Sequence, residues 1–122
     1  GSIWEAALLA PKLQINSLIG VVDYNKWQAT GRSEEITSFE PFLEKWKAFG
    51  WHTQEIDGHD FVEIHNAFQN CHKQKNKPSM IIAHTIKGKG VSFMEDDNNW
   101  HYKIPNNDEL KMALDELTSL IN

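Results

Sequence analysis

Cysteine is nearly missing from this sequence: Cys71 stands alone, so no disulfide can form within the chain. A single thiol suits a reducing compartment, and the expected location is cytoplasmic. Cys71 falls on the apolar face of a predicted helix, which favours a buried structural thiol over a nucleophile. Long hydrophobic runs are missing too. No stretch approaches the roughly 20 apolar residues of a membrane helix, and Ile3–Ala10 has neither the basic start nor the full pattern of a signal peptide. Positive charge is in deficit, with 12 Lys and Arg against 17 Asp and Glu and a net charge of -5. That balance argues against nucleic acid or an anionic membrane as the main partner. There is no repeat, low-complexity tract or flexible linker.

What is present is enough for a core. About 40% of the 122 residues are hydrophobic, including five tryptophans and six phenylalanines, so disorder is a poor reading. The length fits one compact domain, and two independent cores are not expected.

The period of the apolar residues changes several times along the chain. Trp4, Ala7, Leu8 and Pro11 follow helical spacing, and Pro11 is expected to end that helix. Leu18–Asp23 is a nearly continuous apolar run, as in a strand buried on both faces of a parallel sheet. Residues Asn25–Thr37 are polar, contain Gly31 and read as a loop. Phe39, Phe42, Leu43, Trp46 and Phe49 predict a second helix that Gly50 terminates. Trp51–Ile56 predicts a strand. Phe61, Ile64, Phe68 and Cys71 line one face of the next helix, whose end and following loop carry His72, Lys73, Lys75 and Lys77. Met80–Ala83 predicts a third buried strand beyond Pro78. A long loop from about His84 to Pro105 leads to a final helix. Asn106 and Glu109 form a plausible capping pair there, and Leu110, Ala113, Leu114, Leu117 and Ile121 form its stripe. Strands alternating with helices predict an α/β fold, a parallel sheet with helices on both faces. Ligands in such sheets bind beyond the carboxyl ends of the strands, which directs attention to the loops after the first and third strands.

Three loop segments carry candidate chemistry. Asp23-Tyr24-Asn25-Lys26-Trp27-Gln28 offers an amide oxygen and turn carbonyls, ligands for a hard cation such as magnesium. The alternative is a structural turn asparagine. His84-Thr85-Ile86-Lys87-Gly88-Lys89-Gly90 combines two glycines, which permit close backbone approach, with two lysines. It reads either as a solvated basic turn or as an anion site, and it lacks the spacing of a P-loop. Trp100-His101-Tyr102 places a histidine between aromatics, where partial desolvation would suit proton transfer near neutral pH. A packed loop histidine is the alternative. His52, His59, His65, His72 and His84 show no metal-binding spacing, and a zinc site has no support.

Six strings, in order and in register, resemble transketolase nearly end to end. They are Gly1–Ala7, Asp23–Lys26, Ala48–Trp51, Asp57–His59, Ala83–Gly90 and Trp100-His101. The likeness is to the separate amino-terminal subunits of split transketolases, so residues 1–122 would be the carboxyl-side portion of a diphosphate-binding domain. The resemblance implies a partial thiamine diphosphate-binding fold, with thiamine diphosphate and Mg2+ as cofactors in a complete assembly. It implies that the Asn25 side chain and the Trp27 carbonyl ligate the metal, that Lys87 and His101 line the cofactor and substrate site, and that His101 takes part in proton transfer. Glu5 matches a glutamate of a carboxylate network between active sites; the alternative is an exposed helix residue. The implied reaction moves a two-carbon ketol unit between sugar phosphates, with a pyrimidine-binding subunit or domain as partner and a homo-oligomer as the assembly.

The sequence departs from that family in several places. It begins after the position of the family's Gly-Asp-Gly motif and of a glutamate expected before Gly1. The three remaining strands are expected to leave an uncovered edge and an exposed apolar face, and the chain is expected to be inactive alone. Lys12–Leu18 is about one residue longer than the usual connection, and Tyr102 replaces a glycine. Two other readings stay open. One is a non-catalytic oligomerising relic of the fold. The other is a related thiamine diphosphate enzyme, such as a deoxyxylulose phosphate synthase or a 2-oxo acid dehydrogenase component.

Overall fold

Five consecutive buried residues, Ser79–Ala83, form the middle of a sheet. The computed structural model of the chain describes residues 1–120. Its elements run α1 (Ser2–Lys12), β1 (Ile19–Tyr24), β2 (Trp27–Gln28), β3 (Gly31–Arg32), α2 (Ser33–Ile36), α3 (Phe42–Ala48), β4 (His52–Asp57), α4 (Phe61–His72), β5 (Ser79–His84), a 3-10 turn (Asn98–His101) and α5 (Asn107–Ser119). They fall into two compact units, described separately below: Gly1–Tyr24 with Thr37–Thr85, and Asn25–Ile36 with the described residues from Ile86 onward.

The first unit is built on a three-stranded parallel sheet of order β1-β5-β4. Both faces of β5 are buried, which is why Met80–Ala83 carries no polar alternation. On one face Met80 and Ile82 pack with Ala7, Ala10, Phe42, Trp46 and Trp51. On the other Ile81 packs with Ala67 and Cys71 of α4. The expected α/β sheet with helices on both faces is therefore what forms. Cys71 is 1% exposed and accepts a hydrogen bond from Gln54 Nε2 at 3.4 Å, a structural thiol as read from the sequence.

Pro11 does not end α1; the helix runs one residue further. A proline lacks the N–H that would bond the carbonyl four residues back, here that of Ala7. That carbonyl instead accepts the indole N–H of Trp51 at 2.8 Å, so the proline is tolerated. Gly50, at φ +94, follows α3 as expected, whereas α3 starts three residues later than Phe39 because Pro41 occupies its N-cap. The predicted face of α4 is only half right. Cys71 is buried, but Phe61 in the first turn is 85% exposed and Phe68 is exposed as well, because the buried stripe runs through Ala67 and Cys71.

Both outer strands have open edges among the described residues, and Val21 on β1 is 55% exposed. Ile3, Leu8, Leu9 and Leu13 of α1 are exposed as well. The expected bare edge and apolar surface are present.

The second unit is held mainly by polar ties. The stretch predicted as a plain loop contains the β2–β3 hairpin and the single-turn α2; strands of two residues are too short to show a period. The final helix has the predicted capping box: Asn106 Oδ1 accepts the N–H groups of Asp108 and Glu109, and Glu109 accepts that of Asn106. Among the described residues of its predicted stripe only Ala113 is buried. Ile121 lies outside the described residues. Ser92 anchors the preceding loop to α5, donating from its N and Oγ to the two oxygens of Glu116 at 2.6 and 2.7 Å.

Candidate functional site

β1 and β5 are adjacent and parallel, with Tyr24 opposite His84, so the two candidate loops leave from neighbouring carboxyl ends. At that end Thr85 Oγ1 donates to Asp23 Oδ1, and the His84 carbonyl accepts the N–H of Gly58 at 2.8 Å. The His84 ring pairs with Glu55 at 3.1 Å and lies edge-on to Tyr24.

Asn25 is half-buried and opens a tight turn. Its Oδ1 accepts the N–H of Trp27 at 2.9 Å, and Lys26 between them sits at φ +66. The Ser33 N–H donates to the Lys26 carbonyl at 2.9 Å. Antiparallel pairs alternate between hydrogen-bonded and non-bonded positions. Because 26:33 is bonded, the next pair, Trp27 opposite Arg32, is non-bonded, and the Trp27 carbonyl is directed away from its hairpin partner. Asn25 and Trp27 thus offer two neutral oxygens from one turn.

The glycines of the Lys87–Gly90 loop serve the loop itself. Gly88 adopts φ +74, and a Cβ there would collide with the carbonyl of Met94. Gly90, at φ +97, faces Leu117. Lys89 pairs with Glu95 at 3.4 Å, so one of the two loop lysines is offset locally. Lys87 is half-buried, and its carbonyl accepts the N–H of Asp96 at 2.8 Å.

Asp96 joins these segments. Its carboxylate accepts the Trp27 indole N–H at 2.8 Å and the Arg32 guanidinium in bidentate fashion at 2.7 and 2.5 Å. Arg32 also stacks on the Trp27 ring at 3.8 Å. The Arg32 hydrogen bonds, followed by that of Trp27, hold the Asp96 carboxyl at about 2. Arg32 is itself raised above its ordinary value, first by its hydrogen bonds to Asp96.

His101 ends the 3-10 turn and is exposed. The expected desolvation between aromatics is not found. Trp100 turns towards Phe93, with ring centroids 5.3 Å apart and its Nε1 donating to the Phe93 carbonyl at 2.9 Å. Tyr102, edge-on to His101 at 4.5 Å, is 77% exposed. The turn is fixed by Asn98, whose Nδ2 donates to the carbonyls of Gln28 and Ala29. A cavity of about 610 Å³ lies beside it, walled by Phe93, Trp100 and Met112 and crossed by the Lys103–Glu109 pair at 2.6 Å.

Asn25, Trp27 and Lys87 are therefore linked through Asp96, and the turn carrying His101 is linked to the same hairpin through Asn98. Glu5 lies exposed in the first turn of α1. Sequence reasoning missed Arg32, Asp96 and Asn98, whose partners lie 64 to 70 residues away. The Asp96–Asn99 run of turn-forming residues signals a turn there but not these pairings. Among the described residues no group of three or more His, Cys, Asp or Glu would hold a metal ion. The donor set of two neutral oxygens fits a hard cation that takes its remaining ligands elsewhere. It does not fit zinc.

Comparisons with known proteins bear on the family and the fold. The family described as transketolase, thiamine diphosphate binding domain, matches residues 1–118. A 6-deoxy-6-sulfo-D-fructose transketolase subunit from Clostridium sp. (strain MSTE9) is 50% identical over 78% of this chain and 34% of its own. An apulose-4-phosphate transketolase subunit from Phocaeicola vulgatus is 36% identical over 99% of this chain and 43% of its own. The chain thus spans less than half the length of these relatives. The crystal structure of transketolase from Campylobacter jejuni matches with a TM-score of 0.87 and 27% identity, covering 94% of this chain and 18% of that one. Matched almost throughout in sequence and in fold, the chain belongs to the transketolase family, within its thiamine diphosphate-binding domain.

Proposed function

We propose that residues 1–122 form the carboxyl-side portion of the diphosphate-binding domain of a transketolase that moves a two-carbon ketol unit between sugar phosphates. The chain works with magnesium and thiamine diphosphate, inside an assembly that also contains a pyrimidine-binding subunit or domain. The relatives described as subunits support such a partner, and we propose a homo-oligomeric, cytoplasmic enzyme. The observation that carries this reading is the Asn25–Trp27 turn, which presents an amide oxygen and a carbonyl at the carboxyl end of β1.

In this reading Asn25 Oδ1 and the Trp27 carbonyl hold the magnesium ion, and Lys87 adds positive charge towards the diphosphate. Thiamine diphosphate, when bound, supplies the nucleophilic carbon and the electron sink. His101 accepts or returns a proton at a substrate hydroxyl oxygen, and its exposure leaves it accessible for that task. Two neutral oxygens are a weak clamp for a divalent ion, so the chain alone is inactive and the assembly supplies the anionic ligands.

The test is calorimetric titration of the complete assembly with magnesium and thiamine diphosphate, comparing the parent with Asn25→Ala. We expect magnesium affinity to fall roughly tenfold or more. Unchanged affinity would remove Asn25 from the ligand set and the reading with it.

A second reading, a non-catalytic oligomerising protein, draws on the exposed Phe61, Val62, Leu8 and Leu9. An assembly that forms without any cofactor binding would select it.

A further inference from the structure

We propose that Asp96 is a positioning residue: through Trp27 and Arg32 it fixes the turn that presents the Asn25 and Trp27 oxygens, and through its own N–H it holds that turn to the Lys87 backbone. The inference rests on the reading of Asn25 and Trp27 as metal ligands.

The β2–β3 hairpin has two residues in each strand, far too few to set its own geometry. Something else must fix it. Trp27 and Arg32 are directly opposite in a non-hydrogen-bonded pair, the arrangement that brings side chains closest together. Both then converge on one acceptor. Asp96 Oδ1 takes the indole N–H and one guanidinium N–H, and Oδ2 takes the other. The pairing is planar and bidentate, so it fixes orientation as well as distance.

The opposite end of Asp96 is held equally firmly. Its backbone adopts φ +56, a conformation that aspartate tolerates better than most residues, and its N–H reaches the Lys87 carbonyl at 2.8 Å. One residue thus ties the ligand turn to the backbone of the loop that carries Lys87. The cluster is a third to a half exposed, so its contribution to stability is small. A structural staple in that position would do little; a geometric one does not need to be strong. Asn98 holds the tip of the same hairpin independently, so losing Asp96 should misplace the turn without unfolding it.

The experiment uses the complete assembly and four variants: Asp96→Ala, Arg32→Ala, their double, and Asn25→Ala. Magnesium and thiamine diphosphate affinities, the sugar KM and the thermal midpoint are measured for each. We expect Asp96→Ala to weaken magnesium binding roughly tenfold, the scale seen when a group supporting a metal ligand is removed, with the thermal midpoint and sugar KM unchanged. The double variant should be no worse than either single, because the two residues act as one unit. If Asp96→Ala keeps parental magnesium affinity while Asn25→Ala loses it, the positioning role is wrong and the ligand reading stands. If Asn25→Ala also keeps parental affinity, both fail. Should Asp96→Ala not assemble, Asp96→Asn preserves an acceptor for Trp27 while losing the bidentate charge, and the same comparison applies with a smaller drop.

Discussion

The sheet unit and the loop unit are held together by different forces. In the first, Ile81 and Ile82 are at most 1% exposed and are packed from both faces. Burial of that kind is strong, non-directional and tolerant of small shifts. In the second, the ties are hydrogen bonds and ion pairs among half-exposed groups such as Asp96, Arg32, Ser92 and Glu116. Those are individually weak in water but directional. The chain places its stability in one region and its geometric accuracy in the other.

Three substitutions test that division, beyond the magnesium experiments above. Ile82→Ala removes a fully buried side chain from the central strand and should lower the unfolding free energy by about 3–4 kcal/mol in a denaturant titration. A loss below about 1 kcal/mol would mean that the sheet is not the stabilising region. Asn106→Ala removes the α5 cap and should lower it by only about 1 kcal/mol, so an equal or larger loss would erase the contrast. The smallest effect is a pH dependence within the sheet unit. His52 Nε2 is buried without a hydrogen-bond partner, and its pKa is lowered from 6.5, first by burial and then by the charge of Lys77. The unfolded chain therefore takes up the proton first. Stability is fully present above about pH 6.5 and falls as the pH drops below it towards the lower folded pKa. His52→Gln should flatten the unfolding midpoint between about pH 7.5 and 5.5, and an unchanged slope would assign the pH dependence to other groups.

The same division decides what could be read from the sequence. Strands β1, β4 and β5 each lie within a residue or so of their predicted bounds, because burial writes a period into the chain. The cap at Asn106 and the stop at Gly50 were legible because each depends on residues a few positions away. Asn25, Trp27, Lys87 and His101 entered through a family resemblance, which carries positions but no contacts. Asp96 and Arg32 were not legible at all. Their pairing spans 64 residues and involves exposed charged side chains, and an exposed aspartate meeting an exposed arginine leaves no pattern in either neighbourhood. The environment of His101 was misjudged for a related reason: adjacency in sequence to Trp100 and Tyr102 does not say which way either ring turns.

The proline inside α1 ties together two positions that sequence separation would treat as independent. By lacking an N–H, Pro11 leaves the Ala7 carbonyl as the dock for Trp51. A residue other than proline at position 11 would bring a second donor to that carbonyl, and a residue without an indole at 51 would remove the donor it has. Residues 40 positions apart thus bear on a single acceptor, roughly eleven helical turns of sequence collapsed into one contact.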